Sequence, residues 1–158
     1  MFLEMKVSCI VADPFTDMPV VILNEEEGER SLPLWIGFEE ASAIAMEIKK
    51  TPRPRPLTHD LLKNVIAATG YEVIEIEITE LRENTFYSRL RIKKDGEELL
   101  VDSRPSDAIA IALRTGCRIM VDEEVIKAAL SVKVGDKGQS AGDVLEDIPD
   151  EDFGKYKM

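Results

Sequence analysis

The chain has 158 residues, 44% of them hydrophobic, and a formal net charge of −11 at pH 7. This length is enough to bury a core, and we expect one main folded domain. No run of 18 apolar residues is present, so we expect no membrane-spanning helix and no membrane partner. The negative charge is opposite to the basic footprint typical of nonspecific nucleic-acid binders.

The N-terminal residues and the two cysteines indicate the compartment. Residues 1–6 lack a basic start and an apolar signal core, so we predict no export signal. Cys9 and Cys117 are far apart, and each lies in an apolar run. Two distant cysteines in apolar runs favour a protein without a disulfide framework, in a reducing compartment. We therefore expect a cytoplasmic protein.

The first half of the chain predicts three strands followed by two helices. Apolar, β-branched runs predict the strands at 6–12, 20–23 and 32–36. Helical spacing of apolar residues predicts a helix over 38–50, with Glu39 and Glu40 in its first turn. A second helix is predicted from Thr58, as N-cap, to about Thr69, before Gly70.

The second half begins with alternating strands at 72–78 and 86–93. Asp95-Gly96 is a strong signal for a two-residue hairpin turn. This turn sets a register that pairs Ile92 with Leu99, Leu90 with Val101, and Arg89 with Asp102. Apolar residues then meet apolar residues, and opposite charges meet, as cross-strand pairing favours.

A central helix is predicted near 105–115, after the short strand 99–101. Pro105 suits the first helical position, and Gly116 suits the left-handed end. The intervening residues are apolar on all sides, which indicates a buried helix. A strand at 118–121 and a helix at 123–130 follow. The sequence therefore predicts an α+β fold with a mixed, largely antiparallel sheet and about four helices.

The domain organisation is predicted to change near residue 133. Residues 1–132 carry all the periodic segments and form the folded domain. Glycine, acidic and polar residues dominate from Gly135 onward. We expect 133–158 to be an acidic, loosely ordered tail.

An internal repeat is suggested by an offset of 67 residues. It superimposes Glu40 on Asp107, and Ala43-Ile44-Ala45 on Ala110-Ile111-Ala112. Each copy has the order strand, turn, acidic first turn and Ala/Ile helix. We predict a pseudo-repeat whose two helices pack against each other through their alanines.

Four polar side chains crowd the start of the central helix: Asp102, Ser103, Arg104 and Asp107. One interpretation is a helix cap with a structural ion pair, in which Asp102 is the cross-strand partner of Arg89. The other is an anion or metal site, because helix N-termini bind anions readily.

A basic segment precedes the second predicted helix. Residues 49–59 contain four Lys or Arg side chains and no acid, and alternating prolines stiffen the segment. Arg53 and Arg55 either solvate a connector or clamp a phosphate, for which arginine forks are suited. His59 is the only histidine, so a zinc site is not predicted. It is either a capped surface residue or a catalytic base.

Three blocks resemble the bifunctional nuclease domain family, in the right order and over about residues 5–130. They are Trp35-Ile36-Gly37 with the 39–45 helix, then 55–62, then 103–110. The resemblance implies an α+β domain that tends to form a homodimer. Plant members of this family are described as cleaving both RNA and DNA.

Three functional hypotheses follow. The first is a metal-assisted nuclease in which Asp107 and Asp102 hold Mg²⁺ or Mn²⁺ and His59 is the base. In it, Arg104, Arg55 and Arg53 bind the phosphate of RNA or DNA. The second is a non-catalytic dimeric interaction or regulatory module. Buried hydrogen bonds between Arg104 and Asp107, with no cleft beside them, would favour it. The third is a small anion- or nucleotide-binding protein.

Overall fold

The computed structural model describes residues 1–135, with side chains described to Ser131. The predicted acidic tail at 133–158 lies outside the described side chains, and only its first three residues have a described backbone. None of the helices described in this part of the chain is long and apolar enough to cross a membrane.

The described residues form one seven-stranded sheet and four helices, which confirms the predicted α+β fold class. The strands are β1 Phe2–Ala12, β2 Pro19–Glu25, β3 Ser31–Trp35, β4 Glu72–Arg82, β5 Thr85–Lys94, β6 Glu97–Ser103 and β7 Arg118–Asp122. The helices are α1 Phe38–Ile48, α2 Thr58–Ala68, α3 Pro105–Thr115 and α4 Glu123–Gly135.

The sheet order is β3-β2-β1-β7-β4-β5-β6. Every neighbouring pair is antiparallel except β4 with β7, which is parallel. The chain thus contains two units of three antiparallel strands and a helix, β1–β3 with α1 and β4–β6 with α3. These units lie on either side of β7, and β3 and β6 form the two edges.

The predicted pseudo-repeat is present as these two units, and α1 and α3 pack against each other. The N-cap residues are Gly37 for α1 and Arg104 for α3, which are equivalent at the offset of 67 residues. Glu40 and Asp107 are likewise equivalent, each being the third residue of its helix. The two copies therefore place matching positions at the start of neighbouring helices.

Helix α3 lies in the middle of the core, as its apolar sequence predicts. Its residues from Ala108 to Ala112 are all buried, and they pack in one cluster with residues of the sheet and the other helices. Pro105 is the first helical residue, and Gly116 ends the helix with a φ of 73°. This burial fixes the position of the α3 N-terminus relative to the sheet.

The predicted β5–β6 register is confirmed, but the environment of β6 differs from the expectation. Leu99, Leu100 and Val101 are exposed because β6 is the edge strand and nothing in the described chain covers them. Arg89 lies opposite Asp102, yet its Nε donates to Glu77. The structure therefore does not use Arg89 as the ion-pair partner of Asp102.

Candidate functional site

The first turns of three helices meet at one end of a cleft. α1 contributes Glu40, α2 contributes His59, and α3 contributes Asp107, with Arg104 at its N-cap. Arg104 joins α3 to α1 through Glu40, and His59 joins α2 to α3 through Asp107. Helix N-termini carry partial positive charge, which favours anions. Four carboxylates, those of Glu39, Glu40, Asp102 and Asp107, also line this cleft, so Arg104 and the helix ends are the groups here that attract an anion.

His59 and Asp107 form a hydrogen-bonded pair, with Nε2 of the imidazole 2.9 Å from Oδ1 of the carboxylate. Burial alone raises the pKa of Asp107, but hydrogen bonds from Arg104 and His59 outweigh it and lower that pKa. Asp107 is therefore ionised at neutral pH. An ionised carboxylate only accepts hydrogen bonds, so Nε2 carries the proton and Nδ1 is left as the basic nitrogen.

Arg104 bridges two carboxylates. Its Nε donates to Oδ2 of Asp107 at 2.8 Å, and its Nη1 lies 2.8 Å from Oε1 of Glu40. The Arg104 side chain is 66% exposed, whereas that of Glu40 is only 16% exposed. The guanidinium thus reaches solvent at the mouth of the cleft while both of its anchors are held by helices.

The cleft has a volume of about 930 Å³ and runs between α2 and the end of the sheet. His59, Arg104 and Asp107 line its polar end. Its other walls are largely aliphatic and include Leu61, Leu62, Ile66, Leu90, Ile92 and Val101. The Arg104–Asp107 bond therefore lies at an open cleft, unlike the closed structural cap expected for a purely architectural turn.

Asp102 lies near the end of β6 and lines the cleft, but it is not in the hydrogen-bonded group of His59, Asp107 and Arg104. Its strand neighbour Val101 pairs with Leu90, on the α3 side of the sheet. Side chains alternate along a strand, so Asp102 shares the opposite face with Arg89. The structure brings His59, Asp107 and Arg104 together, and it leaves the Asp102 side chain outside this group.

Arg53 is held in a separate network centred on Asp60. Its Nε and Nη2 donate to Asp60, its other bonds run to Glu47 and to the Thr51 carbonyl, and Arg114 donates to the same Asp60 carboxylate. A phosphate at Arg53 would have to replace these contacts. Arg55 is exposed and lines a neighbouring depression with Arg53.

The start of α2 differs by one residue from the prediction, which placed the N-cap at Thr58. The N-cap is Leu57, and its N–H donates to Asp60 at 3.0 Å. Asp60 therefore caps the helix and binds both arginines. This shift makes His59 the second helical residue, on the first turn that faces the cleft.

The acidic and histidine side chains at the cleft are the candidate ligands for a metal ion. Within the part of the chain that the structure describes, no group of three or more His, Cys, Asp or Glu side chains could hold one. Both oxygens of Asp107 already accept hydrogen bonds, one from His59 and one from Arg104. A Mg²⁺ or Mn²⁺ ion held by the Asp107 and Asp102 carboxylates would therefore need its remaining ligands from water or substrate phosphate.

Residues 21–133 match the family of the bifunctional nuclease domain. This match covers more than half of the chain and includes His59, Arg104 and Asp107. The chain belongs to the bifunctional nuclease domain family.

Two kinds of relative share this domain. An uncharacterized protein of Mycobacterium tuberculosis is 44% identical over 126 residues, which cover 80% of this chain and 75% of that protein. Bifunctional nuclease 1 of Oryza sativa subsp. japonica is 33% identical over 109 residues, or 66% of this chain and 33% of the rice protein. Bifunctional nuclease 1 of Arabidopsis thaliana is 30% identical over 109 residues, covering 66% of this chain and 34% of that protein. The chain thus matches about a third of the length of these plant nucleases.

Glu40 belongs to the site of this bifunctional nuclease domain, because it contacts Arg104. The sequence patterns did not predict it there. The signal was available, because the offset of 67 residues aligns Glu40 with Asp107. What the sequence could not give was the direction of the two helices. The structure turns both N-termini toward Arg104, so the equivalent acids meet on one guanidinium.

Proposed function

We propose that this domain is a phosphodiesterase that cleaves RNA or DNA at the His59–Asp107–Arg104 site. The observation that carries the proposal is the His59–Asp107 pair, 2.9 Å apart at the polar end of an open cleft. Membership of the bifunctional nuclease domain family supports the same substrate class.

His59 is the proposed general base. Asp107 accepts a hydrogen bond from Nε2–H and orients the ring, so Nδ1 can take a proton from the attacking hydroxyl or water. Asp107 then stabilises the imidazolium that forms, as the acid of a catalytic triad does. The proton leaves Nδ1 for solvent after cleavage, and the leaving oxygen takes one from solvent.

Arg104 is the proposed phosphate ligand. Its guanidinium is 66% exposed at the cleft mouth, and Arg104 is itself the N-cap residue of α3. Positive charge fixed in this way stabilises the negative charge that develops on phosphorus-bound oxygens. Arg55 is exposed nearby and extends the proposed phosphate path, whereas Arg53 would first have to release Asp60.

The dependence on Mg²⁺ or Mn²⁺ stays part of the proposal, with Asp107 and Asp102 as the predicted ligands. Mg²⁺ is often bound by one or two carboxylates together with substrate phosphates. Asp107 and Asp102 face different sides of the sheet here, so activity in a chelator is the informative measurement.

The deciding experiment is a cleavage assay on single-stranded RNA and DNA, with Mg²⁺, with Mn²⁺ and with chelator. The variants are His59→Ala, Asp107→Asn and Arg104→Ala, purified identically to the wild type. Lys63→Ala is the matched control, because Lys63 is exposed on α2 and is not part of the cleft wall. Cleavage lost in the three variants but kept in the control supports the site.

Equal cleavage by all the proteins would overturn the assignment and indicate a contaminating nuclease or a different site. If no protein cleaves but a phosphate compound raises the melting temperature of the wild type, anion or nucleotide binding becomes the function. Stabilisation that is lost in Arg104→Ala would place that anion at the same helix ends.

A homodimer is the proposed assembly, and α2 supplies the observation that favours it. None of the α2 residues is buried, and Leu57, Leu61 and Val65 form an exposed stripe beside the edge strand β6. An exposed apolar stripe and an unpaired edge are surfaces that a second copy can cover.

Light scattering should give twice the chain mass, and Leu61→Asp should give a monomer. Leu130→Asp, at an exposed position on α4, is the control.

The proposed compartment is the cytoplasm. Cys9 and Cys117 form no disulfide in the structure. Cys9 lies in β1, and Cys117 lies between α3 and β7. Free thiols suit a reducing environment. Cell fractionation with an antibody against the chain tests this location.

A further inference from the structure

Arg104 needs an anchor to act on a phosphate, because its side chain is 66% exposed. A long exposed side chain samples many rotamers, and ordering it costs conformational entropy. The bond from Nε to Asp107 fixes one part of the guanidinium, and the contact from Nη1 to Glu40 fixes another. Two anchors at different nitrogens hold the planar group in one orientation.

Glu40 is itself fixed in place. Its side chain is 16% exposed, and its two carboxylate oxygens have different neighbours. Oε1 faces Arg104, while Oε2 lies against the backbone of Gly37, where an added Cβ would come within 2.2 Å of it. Gly37 has a φ of −72°, so its backbone conformation does not require glycine, and a Cβ there would displace only the Glu40 carboxylate.

We propose that Glu40 is a positioning residue of the phosphodiesterase site, which rests on Gly37 and holds Arg104 on Asp107. This inference rests on the proposed function, because it assigns Glu40 a role in presenting the phosphate ligand. Glu40 acts through Arg104 and does not touch the substrate.

The two copies of the pseudo-repeat differ at their N-cap positions. Arg104 in the second unit is equivalent to Gly37 in the first, and both are N-cap residues. The first unit therefore has room at its N-cap for the Glu40 carboxylate, and the second has a cation there. The first unit supplies Glu40, which contacts Arg104. The second unit supplies Arg104, the proposed phosphate ligand, and Asp107, the partner of His59.

A different role for Glu40 would be to add negative charge near the site without holding Arg104. Glu39 provides the matched comparison, because it carries the same charge one residue earlier and also lines the cleft. The structure places Glu40, and not Glu39, on the Arg104 guanidinium. Removing either charge would change the local potential, whereas only the loss of Glu40 would release Arg104.

The test measures hydrogen exchange of the Arg104 Nε–H by ¹⁵N NMR, with Arg104→Lys used to assign the signal. The proteins are the wild type, Glu40→Ala, Gly37→Ala and Glu39→Ala. The Gly37→Ala methyl displaces the Glu40 carboxylate while every site side chain is kept. We expect loss of protection in Glu40→Ala and Gly37→Ala, and wild-type protection in Glu39→Ala. Unchanged protection in both of the first two variants overturns the proposal.

Cleavage rates give the second readout. If Glu40 acts through Arg104, then kcat falls in Glu40→Ala, and the double variant with Arg104→Ala is no slower than Arg104→Ala alone. Losses that multiply in the double variant overturn the proposal. If the wild type cleaves nothing, the proposed function fails, and the exchange measurement still decides whether Glu40 positions Arg104.

Discussion

His59, in the first turn of α2, lies 2.9 Å from Asp107, in the first turn of α3, although 48 residues separate them in the chain. The segment between them contains the rest of α2 and the whole β4–β6 meander. The pair therefore forms only when α2 packs against α3, which links the proposed chemistry to the packing of the helices.

Asp107→Asn is expected to lower the cleavage rate by about 100-fold or more, the usual contribution of an oriented general base. The amide cannot stabilise an imidazolium, and it allows the wrong ring nitrogen to be protonated. Initial rates on single-stranded RNA measure the effect, with circular dichroism to verify the fold.

Asp102→Asn is expected to cost less activity than Asp107→Asn. The register of β6 places Asp102 on the Arg89 face of the sheet, away from His59. The same assay, run on both variants at a fixed Mg²⁺ concentration, compares them. An equal loss in the two variants would instead support the predicted pair of metal ligands.

Asp60→Asn is expected to destabilise the fold by about 3 kcal/mol, the usual cost of removing one partner from a buried ion pair. Arg114 has a side chain only 2% exposed, and it would lose its carboxylate partner. Urea unfolding at pH 7 measures the loss. Glu72→Gln, at an exposed strand position, is the control and should stay within about 0.5 kcal/mol.

The contribution of Asp60 should disappear in acid. Burial raises the pKa of Asp60, but hydrogen bonds from Arg53, the Leu57 N–H and Arg114 hold that pKa well below its ordinary value of 3.8. The unfolded chain therefore binds this proton more readily, so the contribution is complete above pH 4 and is lost as the pH falls further. The difference in unfolding free energy between wild type and Asp60→Asn should begin to shrink near pH 4 and should narrow steadily as the pH falls further. A constant difference would contradict this linkage.

Glu77→Ala is expected to cost about 3 kcal/mol as well. Glu77 is 2% exposed and accepts hydrogen bonds from Arg89 and Arg91, which would both lose their buried partner. Urea unfolding at pH 7 gives the value. Glu80→Ala is the control on the same strand, because its contact with Arg82 is long and exposed and is worth less than about 1 kcal/mol.

Local signals in the sequence predicted most of the fold. Asp95-Gly96 fixed the β5–β6 register, and Pro105 and Gly116 marked both ends of α3. These residues act through their own backbone, so their effect does not depend on distant parts of the chain. The same register places Asp102 and Val101 on opposite faces of β6. This alternation could be predicted from the hairpin turn alone.

The site could be predicted only as separate residues. His59, Arg104 and Asp107 were each candidates, but the sequence has no pattern that joins α2 to α3. The role of Arg53 was equally hidden, since its partner Asp60 also binds Arg114, 54 residues further along. Such contacts depend on how the helices pack, which periodicity does not specify.

The division of the site between two repeated units also bears on protein synthesis. Glu40 emerges from the ribosome with the first unit, whereas Arg104 and Asp107 follow only after the strands of the second. A nascent chain that ends before α3 contains His59 and Glu40. It lacks Asp107, which orients His59, and Arg104, which Glu40 contacts. If the site cleaves RNA as proposed, a growing chain stays inert toward the messenger that encodes it until the second unit has docked on the first.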